Sequence, residues 1–347
     1  MKKRARAGMN GVRALALLGL LGALLGQPSS ASAQASNQDS ADDAQSFRND
    51  VLYGMPGREA PFPESNLLAT APGAEQQARV PVFSFRVLAP LNYNSNAEAA
   101  RSGGTRTAEG SPEMRLGFAS QIPTLPLRLS TSVALEWDRF VSSDSAGFDK
   151  IRPRLDLQYV DAENDQAFSP FLGFSPRLDF TPTFAEHFAT RYDLNLGFNK
   201  SFHFQEGFQR VPASGNSASA TVWSLGGTIM AQRRFRDPSP SSTALTIIPS
   251  LSYRISEDWS CVLTAELTQR WFDRTAGVSQ DNFTFFPLGA VEFDVPVRWL
   301  GGPDMARWLG SPALEFFGGV EREWSNVSSA EFTQVTAGFA LRAGWRF

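Results

Sequence analysis

The feature that most constrains this chain is alternation by ones. Leu127, Leu129, Thr131, Val133, Leu135 and Trp137 are separated by Arg128, Ser130, Ser132, Ala134 and Glu136. Successive side chains of a strand point to opposite faces, so such a segment has one greasy side and one small or charged side. The rhythm recurs. Ile151, Pro153, Leu155, Leu157 and Tyr159 alternate with Arg152, Arg154, Asp156 and Gln158. Val335, Ala337, Phe339, Leu341, Ala343, Trp345 and Phe347 alternate with Thr336, Gly338, Arg342, Gly344 and Arg346. The pattern predicts twelve strands, at 80–88, 113–120, 127–137, 148–159, 168–180, 188–204, 218–231, 244–254, 259–272, 283–295, 313–324 and 332–347.

A soluble sandwich also alternates, but three features argue for lipid on the greasy side. Most of the strands reach the 9–11 residues that a tilted strand needs to cross a bilayer, against the roughly 5–6 usual in soluble sheets. Aromatic residues, with 28 Phe and 8 Trp in the chain, collect at the ends of the apolar rows as interfacial girdles do. The polar side carries opposite charges on neighbouring strands, which suits an enclosed wet interior. In lipid every backbone N–H and C=O must find a partner, and a sheet closed on itself achieves this without an edge. The expected fold is therefore all-β: a closed antiparallel up-and-down transmembrane β-barrel of about twelve strands, formed by residues 80–347.

The N-terminus reads as an address. Lys2, Lys3, Arg4, Arg6 and Arg13 precede an apolar stretch at 14–26, and Ala31-Ser32-Ala33 offers small residues for cleavage. Residues 1–33 are thus expected to be a signal peptide removed after Ala33. Residues 34–79, rich in Ser, Asn, Gln, Asp, Ala and Pro, read as a disordered or loosely ordered periplasmic segment. The alternative for them is a plug or binding motif using Phe47, Val51, Leu52, Tyr53 and Met55.

The other end carries a resemblance. Phe339, Leu341, Ala343, Trp345 and the terminal Phe347, with Gly338 and Gly344 between them, resemble the C-terminal signature of bacterial outer-membrane β-barrel proteins. The resemblance implies a cell outer-membrane location in a Gram-negative envelope. It also implies outer-membrane lipid, lipopolysaccharide and the barrel assembly machinery as partners. It marks the class and no subfamily.

Composition removes several functions. A net charge of −3 argues against nucleic acid as a partner. One cysteine and two histidines leave no metal-ligand spacing, so no metal site and no cofactor is expected. Cys261, on an apolar face, reads as a small hydrophobe. Outer-membrane phospholipase A is similar in being a twelve-strand barrel, and its motif sets a His two residues before a nucleophilic Ser, just after an Asn, on a lipid-facing wall. This chain has Asn199-Lys200-Ser201-Phe202-His203. The Ser precedes the His, and both fall on the polar face, so no enzyme is expected.

What remains is the polar face. Arg152, Arg154, Asp156, Arg177, Asp179, Arg191, Asp193, Glu266, Arg270, Glu292, Arg342 and Arg346 are expected to line the lumen. The function expected is a narrow porin-like channel for small hydrophilic solutes. The alternatives are a non-conducting structural or adhesion barrel, a partner in an export system, or a lipid-modifying enzyme. With both termini periplasmic, segments near 89–112, 138–147, 181–187, 232–243, 273–282 and 325–331 would face outward. The long inner connection 296–312, with Trp299, Leu300, Met305, Trp308 and Leu309, predicts either a short amphipathic helix at the inner membrane boundary or a miscounted strand.

Overall fold

The computed structural model describes residues 81–347 apart from 97–103, 143–146, 160–167, 206–209, 212–221, 238–239 and 274–279. The expected signal peptide and the segment 34–79 lie outside the described residues. Twelve long strands form the wall. They are β1 (Val82–Asn94), β3 (Glu113–Gln121), β4 (Leu127–Trp137), β6 (Asp149–Tyr159), β7 (Ser169–Phe180), β8 (His187–Phe204), β10 (Trp223–Asp237), β11 (Ser242–Arg254), β12 (Trp259–Phe272), β13 (Asp281–Asp294), β14 (Ala313–Ser325) and β15 (Phe332–Arg346). Each pairs antiparallel with the next, and β15 returns to β1 with Ser84 opposite Arg346 and Asn94 opposite Thr336. The barrel is closed. No wall strand is left with an open edge, which is the condition for a sheet in lipid.

Three short strands decorate this wall. β2 (Thr107–Gly110) continues the line of β3 past Ser111 and Pro112 and pairs with the far end of β1. Proline has no N–H to give to a ladder, which accounts for the break there. β5 (Arg139–Phe140) extends the sheet beyond β2, and β9 (Arg210–Val211) pairs with the end of β8.

Two strand limits differ from the sequence expectation. β1 runs on to Asn94, because Asn92 and Asn94 keep the inward phase beyond the apolar stretch. β10 covers Trp223–Asp237 and carries Arg234 and Arg236 in phase, where the expected strand stopped at 231. The connection after β13 holds the short helix α1 (Pro303–Trp308), and the count of twelve wall strands stands with it in place.

Rings mark both rims. At the rim where the chain enters and leaves, Phe83 meets Phe118, Phe85 stacks on Trp345, Trp223 meets Tyr253 and Trp259 meets Phe293. At the opposite rim Phe283 stacks on Trp324, and Trp137 meets Phe184 edge-on. Two aromatic bands flanking an apolar belt are the girdles of a membrane-spanning barrel.

Candidate functional site

The wall sorts its side chains by parity. Leu116, Leu196 and Leu263, all more than half exposed, lie on the outside. Odd positions of β3, β7, β8 and β14 and even positions of the other wall strands point inward. That inner face is largely polar and buried, and among the described residues most of its charge falls in three regions, with Glu321 and Glu323 of β14 apart from them.

The first lies at the rim opposite the termini. Lys150 Nζ is 3.0 Å from Glu136 Oε1 and 2.6 Å from Asp138 Oδ2, and none of the three side chains is exposed. Arg152 reaches Glu136 and Glu113 at 2.9 and 2.7 Å. Arg115 closes on Glu113 at 2.7 Å. Phe148 lies against two of the cations, with Lys150 Nζ 4.5 Å and the Arg177 guanidinium carbon 5.5 Å from its ring centre. Asp149 ties three segments together. It accepts from Arg139 Nη1 at 2.5 Å and from the Phe184 N–H at 2.9 Å, beside the 3-10 turn Pro182–Phe184. Just past the end of β4, burial pushes the Asp138 carboxyl up to about 7 against the attraction of Lys150, and neighbouring Glu136 and Glu109 push the same way.

The second region runs round β7, β8, β10 and β12. Arg177 stands directly opposite Arg191, and Arg191 directly opposite Arg236. Arg177 Nε donates to Asp179 at 2.5 Å. Asp193 lies 3.0 Å from Arg191 Nε and accepts from Arg234 Nε at 2.9 Å. Arg270 extends the row to β12, with Nη1 3.4 Å from Ser242 Oγ.

The third lies nearer the termini. Arg342 on β15 reaches across β14 to Glu292 on β13 at 2.5 Å and meets Glu315 at 3.1 Å. Arg154 pairs with Asp156 at 2.6 Å. Glu266 accepts from Thr268 Oγ1 at 2.7 Å. Arg346, at the last position of β15, is exposed at the rim. The residues singled out from the sequence thus fall into separate networks, with Arg346 at the margin.

Sequence reasoning missed two parts of this interior. Glu113, Glu136 and Lys150 are wholly buried in the rim network, although their alternation with Met114, Leu135 and Ile151 was visible. It also missed an apolar patch on the inner face: Leu88, Ile248, Phe286, Leu288, Ala290, Phe317 and Ala340 are buried together, with Val262 against them. In the stretch Phe283-Thr284-Phe285-Phe286-Pro287-Leu288 both parities are apolar, so alternation could not assign the inner one. Ser201 sits opposite Gly226 and His203 opposite Ser224 in the ladder, and the His203 side chain lies outside the described residues.

A closed twelve-stranded meander with an apolar exterior, aromatic rims and a charged interior is an outer-membrane β-barrel. No protein-family model matches the chain, and no curated protein matches its sequence. Solved structures give fold likenesses. An outer membrane channel from Pseudomonas putida F1 aligns with 77% of this chain and 96% of its own, at 14% identity and a TM-score of 0.44. LpxR from Salmonella typhimurium aligns with 76% of this chain and 99% of its own, at 7% identity and a TM-score of 0.38. OmpT, an outer membrane protein of Vibrio cholerae, aligns with 76% and 97%, at 10% identity and a TM-score of 0.36.

Proposed function

We propose that this outer-membrane barrel is a narrow channel for small hydrophilic solutes and not an enzyme. The reading rests on one observation. Arg154, Glu292 and Arg342 point inward yet keep 25%, 27% and 14% of their side chains accessible. Ionised groups that reach solvent from inside a closed wall are what a watered passage needs. A twelve-strand barrel is wider than an eight-strand one, whose interior side chains can fill, and narrower than a porin of 16–18 strands. The long inward side chains narrow it further.

In this reading both termini are periplasmic and the leader is cleaved after Ala33. Phe339, Leu341, Gly344, Trp345 and Phe347 on the last strand form the segment that the assembly machinery reads. Lipid and lipopolysaccharide cover the outer wall.

A second reading is a closed structural barrel. It is favoured by the fully buried Glu136–Lys150–Asp138 network and by the inner patch around Leu88, Phe286, Leu288 and Phe317. Planar bilayers separate the two. With folding verified by heat-modifiable gel migration, discrete conductance steps are expected. A folded protein that gives none supports the closed barrel instead.

A further inference from the structure

We propose that the barrel opens sideways between β6 and β7, and that this opening passes a single-chain amphiphile between the lumen and the membrane. Two prolines carry the argument. Across this seam Ile151 faces Leu178 and Leu155 faces Phe174, which sets Pro153 directly opposite Pro176. Both lie near mid-strand on the outward phase. The ladder is interrupted there, with no pairing between 152–154 and 175–177.

The neighbouring ladders fix the direction of the missing donors. In an antiparallel pair, directly facing residues alternate between exchanging two backbone bonds and exchanging none. Pro153 faces Val133 on β4 and Pro176 faces Tyr192 on β8, and neither of those ladders is broken at that point. Both positions would therefore turn their N–H groups to the β6–β7 seam, and proline has none. Two wall bonds are missing from one place, and two carbonyls lose their backbone donors. Ser175 Oγ donates to the Pro153 carbonyl at 3.4 Å, a long replacement for one of them. Pro249 and Pro287 also interrupt their ladders, but they face Ala265 and Val320, which keep an N–H to give. Among the described residues Pro153 and Pro176 are the one pair of prolines that face each other.

The side chains repeat around this pair. Pro153-Arg154-Leu155-Asp156 recurs as Pro176-Arg177-Leu178-Asp179. In each copy the arginine donates to the aspartate two places on in its own strand, at 2.6 and 2.5 Å. These bonds run along the strands and not across the seam. On the lipid side Phe174 stacks on Tyr192, the residue that faces Pro176, so two rings stand beside the gap.

The two faces name the solute. Inside the seam stand Ser175 and Arg154, the latter with 25% of its side chain accessible. Outside stand Leu155 and Leu172, 45% and 54% exposed. A molecule with a polar head and one apolar chain matches both sides. Three residue pairs span about 10 Å along the strands, an opening that suits one chain. This route is separate from the conducting path proposed above, which runs along the barrel axis.

The test uses the full-length barrel in phospholipid vesicles, with Cys261→Ser throughout. Ser175→Cys places a thiol on the inner face at the seam. Thr228→Cys places one on the inner face of β10, whose ladders are unbroken on both sides. N-dodecylmaleimide, which resides in the bilayer, is the probe, and N-ethylmaleimide corrects for thiol reactivity. The dodecyl-to-ethyl rate ratio should be about tenfold or more higher for Ser175→Cys, because two backbone bonds separate this seam from an unbroken one. Adding Pro153→Val/Pro176→Val, which returns both N–H groups, should lower the ratio to that of Thr228→Cys. If the double substitution does not fold, each single one restores one bond and should give part of the drop. Equal ratios at the two thiols overturn the proposal, as does a ratio that the valine substitutions leave unchanged. Conductance is a separate readout: its absence removes only the channel reading, and equal labelling ratios remove only this one.

Discussion

Lys150 and Glu136 form an ion pair with 3.0 Å between Nζ and Oε1 and no exposed surface on either side chain. The same ammonium also meets Asp138 at 2.6 Å. Removing one partner of a buried pair strands the other's charge, at a cost of about 3–5 kcal/mol. Lys150→Met should therefore destabilise the barrel strongly in urea titrations read by gel migration. Lys150→Met/Asp138→Asn should recover part of the loss, because the amide replaces a carboxyl that burial without the ammonium would force to take up a proton. If the single variant unfolds at the unmodified midpoint, the rim network contributes nothing.

Asp138 should make stability depend on pH. Its folded value of about 7 lies above the unfolded value of about 4. The protonated form is thus favoured by folding. The contribution is full below the unfolded value and is lost as pH rises through the folded one. The unfolding midpoint should fall between pH 4 and pH 8, and Asp138→Asn should flatten that dependence. An unaltered slope in the variant would place the titration on another group.

These two residues also show where sequence reading stops. The phase of β4 and β6 is plain from Leu135 and Trp137 against Glu136, and from Ile151 and Leu155 against Arg152. What the alternation lacks is distance. Glu136 and Lys150 are adjacent only because the β4–β6 register sets them opposite each other. The Arg177–Arg191–Arg236 row likewise depends on two registers and on β10 extending past residue 231. The inner patch at Phe286 and Leu288 was hidden by neighbours that are apolar on both faces. Period two gives the wall and its polarity, and register gives the site.

Gly310 ties the long connection to the last strand. Its φ of 75° belongs to the left-handed region, and a Cβ there would come within 2.7 Å of the Trp345 ring and 3.0 Å of the Gly344 nitrogen. The Gly344 N–H donates to the Gly310 carbonyl at 2.7 Å, and Trp345 Nε1 donates to the Trp308 carbonyl at 3.0 Å. Gly310→Ala should cost about 1–3 kcal/mol from backbone strain alone, with the contact against Trp345 added. Gly301→Ala, at a φ of 88° with nothing within 4 Å of its Cβ, should cost less. Urea midpoints of the two variants check the order.

Closure has a direct chemical test. Ala89 on β1 faces Leu341 on β15 across the seam. Facing residues of antiparallel strands have Cα atoms about 4.5–5.5 Å apart, within the range a disulfide spans. In a Cys261→Ser background, Ala89→Cys/Leu341→Cys should oxidise to an intramolecular disulfide that blocks heat-induced opening of the seam. Ala89→Cys/Leu263→Cys, on well-separated wall strands, should not. A seam pair that stays reduced under mild oxidant would mean that the first and last strands do not meet.

The connection 296–312 should sit in the membrane boundary. Trp299 and Trp308 are 65% and 73% exposed, and Met305 on α1 is 47% exposed. These side chains adjoin the rim aromatics, with Trp299 5.6 Å from Phe293 and Phe293 4.6 Å from Trp259. Large rings left bare in water would give up the burial that the adjoining lipid belt offers. A short amphipathic segment instead lays its apolar side at the headgroup boundary, where the indole N–H can still reach water. Lipids brominated near the headgroup should quench the fluorescence of the folded protein, and Trp308→Phe should remove part of that quenching. If aqueous iodide quenches the Trp308 component and brominated lipid does not, this segment projects into water and its exposed face is free of the bilayer.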